Sequence, residues 1–271
     1  MKFHGRIPVA TVPLMQAAAA VFFSVVPGEV ARHNNPVILP PPYPVSVAAV
    51  GLHRQLFVAD RPADSLLWGR DLPTHGRAGH VDVPRLLPGN AGLQTVSVVT
   101  QVPAGRNFTR NASDAPDIIT LLAIAQHWPL RTWGSTLAHA SAALTDEVLA
   151  LATRPVPGSH GGVGGTCDNH RSLSDARAQA VAASGGMIGF WPRATGGEVG
   201  AATVRALRHA VDQAGVEHVA PGSDFDGSVQ VPFDVSGLRL LTEALLQASF
   251  EPAAIEKAME GNVVRVLQAA G

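Results

Sequence analysis

A chain of 271 residues with 46% hydrophobic and 15% charged residues is too apolar to stay disordered and long enough to bury a sizeable core. Twenty Lys and Arg against 21 Asp and Glu give a formal charge of −1, which removes the basic footprint that a nucleic-acid partner requires. The single cysteine, Cys167, excludes an intramolecular disulfide and a Cys-x-x-Cys zinc ribbon, so any metal must be held by His and carboxylates.

Residues Ile7 to Val26 are apolar apart from Thr11, Gln16 and Ser24, and they follow Lys2 and Arg6. That is the layout of a signal peptide or a signal anchor, and about 20 residues also suffice to cross a bilayer. No Ala-x-Ala site stands out beyond Ala17 to Ala20, so a cleaved peptide and an anchor both remain open, beside a buried core helix. Pro27 to Pro44 contains Asn34-Asn35-Pro36 and the Pro40 to Pro44 run, which reads as a stiff spacer. The expected organisation is an anchor or signal segment over 1–28, a Pro-rich linker over 29–49 and one domain over 50–271, membrane-anchored or exported. Sequons at Asn107 and Asn111 carry no weight in a bacterial chain.

Within the domain, short apolar runs alternate with helical patterns, which predicts βα units and a parallel sheet. Strands are expected at Leu56 to Ala59, Leu93 to Thr100, Arg154 to Val156, Met187 to Trp191 and His218 to Ala220. Helices are expected from Asp114 to Trp128, Thr145 to Ala152, Ser174 to Gly185, Ala201 to Ala214, Ser236 to Ala248 and Pro252 to Ala270, the last interrupted at Gly261-Asn262. Asp60 and Asp64, His160, and Asp224 and Asp226 all fall where strands end. A (β/α) barrel carries its active site there, because the strand-to-helix loops share one mouth. Five convincing strands and about 220 residues fall short of the eight strands and about 250 residues usual for such a barrel.

His139 and His160 stand 21 residues apart, enough for a helix and the next strand, so two imidazoles could face one cation. Six segments then resemble the membrane dipeptidases, the renal dipeptidase-like zinc metallopeptidases with amidohydrolase-type barrels. They are Val58 to Ser65, Gly79 to Leu86, Leu137 to Ser141, Arg154 to His160, Cys167 to Asp175 and Gly222 to Gly227; Gly261 to Leu267 resembles the family's closing helix. The resemblance implies a dinuclear zinc site that cuts dipeptides with a free C-terminus. In such a site zinc acidifies a bound water and polarises the scissile carbonyl. It also implies His139 and His160 as ligands of one zinc and Asp64 as a ligand of the other. Arg171 would grip the substrate carboxylate through its planar fork, and Asp224 would act as acid/base. A homodimer is among the expected assemblies.

The departures are equally specific. The family's first motif is Asp-x-His-x-Asp with the His as ligand, and Pro62 occupies that position. The family's bridging Glu and its oxyanion-stabilising His have no counterpart, since the chain passes from Trp133-Gly134-Ser135 almost directly to His139. About two βα units are therefore expected to be missing from the barrel. At most one weakly held zinc is expected, and His75 and His80 have no spacing that argues for substitution. The reading is a zinc dipeptidase with impaired turnover; the alternatives are an inactive peptide-binding relative and a non-functional deleted fragment.

Overall fold

The computed structural model describes residues 11–97, 142–166, 172–190 and 201–270. The expected helix Asp114 to Trp128, His139 and Arg171 lie outside them. The chain begins with helix α1 (Thr11–Ser24) and helix α2 (Val26–Asn34), followed by α3 (Val47–His53), which Ser46 caps by accepting from the Ala49 N–H. Strand β1 (Val58–Ala63) leads into a 3₁₀ turn (Ser65–Trp68), the short helix α4 (Val83–Leu86) and strand β2 (Ala91–Val96).

Helix α5 (Ala142–Leu151), strand β3 (Pro157–Gly158), helix α6 (Asp175–Ala183) and strand β4 (Met187–Phe190) follow. Then come α7 (Ala201–Ala214), β5 (Val219–Pro221), α8 (Arg239–Gln247), α9 (Pro252–Glu256) and α10 (Asn262–Ala270). Ser174 caps α6 and Gly185, at φ +77°, ends it, as the sequence predicts. The interruption expected at Gly261-Asn262 is instead a π turn (Lys257–Gly261) that carries α9 into α10 without a break.

Every strand pair among the described residues is parallel. β1 pairs with β2, while β4 lies between β3 and β5. The two small sheets meet where Ala63 bridges Phe225 and the Asp64 N–H donates to the Phe225 carbonyl at 2.8 Å. The spatial order β2-β1-β5-β4-β3 joins the first strand to the last described one, an arrangement consistent with a barrel of the TIM type. β4 and β5 are buried at every position, as expected for parallel strands covered on both faces. On one face Phe190, Phe225, Phe233 and Leu238 belong to the main core; on the other Val263 and Val266 of α10 cover Ala59, Met187 and Ala220.

The Pro-rich stretch expected to act as a spacer is packed against the domain from Asn34 onward. Val37 bridges Val231, the Ile38 and Leu39 N–H groups donate to the Val231 and Pro232 carbonyls, and Tyr43 accepts from the Asp234 N–H at 3.1 Å. Its prolines leave enough backbone donors for a single extended run along that loop.

Candidate active site

Asp64 follows β1 directly. Its backbone is pinned to Phe225, and its Oδ1 accepts from Ser97 Oγ just past β2. That pairing sets Asp64 across from Asp224, which follows β5. Asp224 is buried in a left-handed backbone at φ +52°, with Asp226 at +63° and Ser228 at +57° beyond it. Three non-glycine residues in that region within five positions mark a turn held by its surroundings. Gly227 fits because a Cβ there would run into the Asp224 carboxylate.

His160 stands two residues past β3. Its Nδ1 shares a 2.6 Å hydrogen bond with Ser159 Oγ, and its Nε2 lies 3.9 Å from Asp224 Oδ1. Two glycines create the space for it. A Cβ on Gly189 or Gly222 would collide with the Ser159 carbonyl, so only glycine lets β4 and β5 close on the end of β3. Asp64, His160 and Asp224 therefore reach one mouth from the carboxyl ends of β1, β3 and β5.

Two further carboxylates support the mouth. Asp60, fully buried in β1, accepts from the Ser223 backbone N–H at 3.1 Å, from Ser223 Oγ and from Gln94 Nε2 at 2.9 Å. Burial pushes its pKa up to about 6, and the bonds from Ser223 and Gln94 hold it from rising further. Asp226 is a hub. Its carboxylate accepts from Ser65 Oγ at 2.6 Å, from Arg70 Nη2 and from the His80 backbone N–H at 2.7 Å. Its own N–H donates to His80 Nδ1 at 2.8 Å, and its carbonyl accepts from Trp68 Nε1 at 2.6 Å. Acceptance at Nδ1 assigns the neutral His80 proton to Nε2. Burial lowers the His80 pKa, with Asp226 opposing and Arg70 adding to the fall.

Asp226 thus clamps the β1–β2 connection to the turn that carries Asp224. The sequence marks Asp226 only as a strand-end residue with no assigned role, and it gives no part to Arg70, Ser223 or Gln94. The local signal for the hub is the Asp-x-Asp-Gly spacing, but its partners lie about 150 residues upstream and no periodicity announces them. His80, considered only as a substitute ligand, is a hydrogen-bond partner inside this hub.

Among the described residues no group of three His, Cys, Asp or Glu is arranged to hold a metal ion. Zinc sites use three or four protein ligands, so the described donors do not by themselves fit a zinc ion. Pro62 stands in β1 between Asp60 and Asp64 and carries no side-chain donor for a metal.

Parallel strands that gather carboxylates and an imidazole at their carboxyl ends put the candidate site where barrel enzymes carry theirs. Comparison with known proteins makes this specific. Residues 136–271 match the family model of the membrane dipeptidases, Peptidase family M19, and the chain belongs to that family. The dipeptidase verJ of Clonostachys rogersoniana is 33% identical over 138 residues, 48% of this chain and 36% of that protein. An uncharacterized protein of the Klebsiella pneumoniae pqqA 5' region is 31% identical over 129 residues, 43% of this chain and 47% of that protein. The matched part spans less than half the length of either relative. The fold is shared with the probable dipeptidase PvdM from Pseudomonas aeruginosa at a TM-score of 0.61 and 15% identity, over 82% of this chain and 97% of that one.

Proposed function

We propose that this chain is a dipeptidase of the zinc-dependent kind, cleaving the peptide bond of dipeptides, with turnover weakened by lost metal ligands. The convergence of Asp64, His160 and Asp224 on one mouth carries this reading. Asp224 is the proton-transfer group: it takes a proton from the attacking water and returns it to the leaving amine. Arg171 holds the substrate carboxylate. His160 and Asp64, with His139 as a further donor, are the residues offered to zinc. The barrel lacks about two βα units, which removes the bridging carboxylate and one oxyanion donor. Loss of one such donor alone lowers rates by about 10² to 10³.

The chain is membrane-anchored or exported through its N-terminal helices. Val12–Asn34 is long and apolar enough to cross a bilayer by length and composition, and 6% of its most apolar window is buried. Zinc content and hydrolysis of an alanyl dipeptide, measured with and without added zinc, test the reading. Slow turnover that rises with zinc and disappears in His160→Ala is the expected result. The absence of three clustered donors among the described residues favours a second reading, an inactive relative that binds dipeptides; calorimetric binding without any turnover would establish it over the first.

A further inference from the structure

We propose that the mouth of the site faces the lipid bilayer, because the helix that enters the membrane leaves the domain from the mouth side and not from its base. The inference rests on the membrane reading of α1. That helix contains no charged residue, and Leu14 and Met15 are 70% and 68% exposed, so the described residues leave most of its apolar surface uncovered. A helix apolar on all sides and unburied suits lipid. The occupant is therefore a phospholipid bilayer.

The character of the chain changes after Val25. Helix α2 brings Glu29, Arg32 and His33, buries Ala31 and Asn34, and packs on the Ser65–Trp68 turn, the segment that follows β1 at its carboxyl end. Next, Asn35 Nδ2 donates to the Ala31 carbonyl at 3.0 Å, and its Oδ1 accepts from the Val229 N–H at 3.4 Å, in the loop that follows β5. The chain then descends. It runs beside Val231 and Pro232, passes Asp234 at Tyr43, meets Glu243 at Ser46, and enters β1 at its amino end, Val58. Contact with the rim thus comes first and the base is reached last.

Nine residues of α2 span about 14 Å, so the rim lies within roughly that distance of the bilayer surface. Dipeptides must then enter through the water layer between domain and headgroups.

The test uses the full chain with Cys167→Ser and one new cysteine, at Leu66 beside the mouth or at Phe57 and Glu217 at the amino ends of β1 and β5. Each variant carries a fluorescent donor in phosphatidylcholine vesicles whose headgroups bear an acceptor. β1 separates the two levels by about 20 Å, so transfer from Leu66 is expected to exceed that from Phe57 and Glu217 by about twofold. Co-flotation with equal transfer, or with stronger transfer from the base positions, overturns the orientation while the membrane reading stands. Failure to float with the vesicles overturns both. Quenching by lipid-borne nitroxide at Trp68, in a chain carrying Trp128→Phe, Trp133→Phe and Trp191→Phe so that Trp68 alone reports, repeats the measurement without a cysteine label: the proposal requires quenching there, and its absence in floated protein counts against it.

Discussion

Removing Asp226 takes one acceptor from three donors at once, those of Ser65, Arg70 and the His80 backbone. Breaking a buried ion pair from one side strands the remaining charge, so Asp226→Ala should cost about 3–5 kcal/mol of unfolding free energy in urea titrations. Asp226→Asn keeps part of the hydrogen bonding and should lose less. Asp60 responds to pH. Its folded pKa of about 6 lies above the ordinary 3.8, so between those values the folded chain keeps a proton that the unfolded chain has released. The sign follows: this group's stabilising contribution is complete below about pH 4, declines as pH rises to about 6, and stays lost above, on the order of 3 kcal/mol. His80 and His53, whose pKa values burial lowers, act oppositely, with stability falling as pH drops below their ordinary 6.5. The difference between Asp60→Asn and the unsubstituted chain isolates the first effect: the variant should gain on the unsubstituted chain between pH 4 and 6, and parallel denaturation midpoints across that range would refute it.

At the scale of elements, the close approach of β3, β4 and β5 depends on residues without side chains. Gly189→Ala or Gly222→Ala should force Ser159 and His160 outward, costing about 1–3 kcal/mol by overpacking, which a lowered thermal midpoint would register. β4, β5 and the capped helices α6 and α7 were legible in the sequence, since apolar runs of strand length sit between Ser174, Gly185 and Gly215. β1 was legible only as far as Asp60. Pro62 argues against a strand because it cannot donate to a ladder, and the β1–β2 register is irregular between Asp60 and Ala63. β3 appears later than expected, at Pro157–Gly158 and not Arg154 to Val156, because two residues of pairing to β4 leave little pattern to read. The strand-end placement of Asp64, His160 and Asp224 was readable from where apolar runs stop. The Asp60 and Asp226 networks were not, since apart from the Gln94 bond they join residues about 150 or more positions apart.

For the whole molecule, composition separates a Pro-rich spacer from the domain, yet packing does not divide there. Tyr43 is buried against Phe233 with ring centroids 6.2 Å apart, and burial, with Asp234 nearby, raises its phenol to about 12. A chain that starts at residue 26, and so keeps α2, should therefore melt close to the full-length protein. One that starts at residue 45 loses Asn35, Val37 and Tyr43 and should be less stable by about 2–5 kcal/mol, given the cost of deleting a large buried side chain and its hydrogen bonds. Equal melting temperatures for the two truncations would contradict this.

That arrangement also fixes a schedule for biosynthesis. Asn35 awaits Val229, Tyr43 awaits Asp234, His53 awaits Thr242 and Ser46 awaits Glu243, partners 189 to 197 positions later. These bonds of the early segment thus form only after the last quarter of the polypeptide has been made. Such distant pairing slows folding and leaves intermediates with uncovered apolar loops. On the proposed membrane reading, a nascent chain held by its leading helix would spend that interval at the bilayer surface with those apolar loops uncovered.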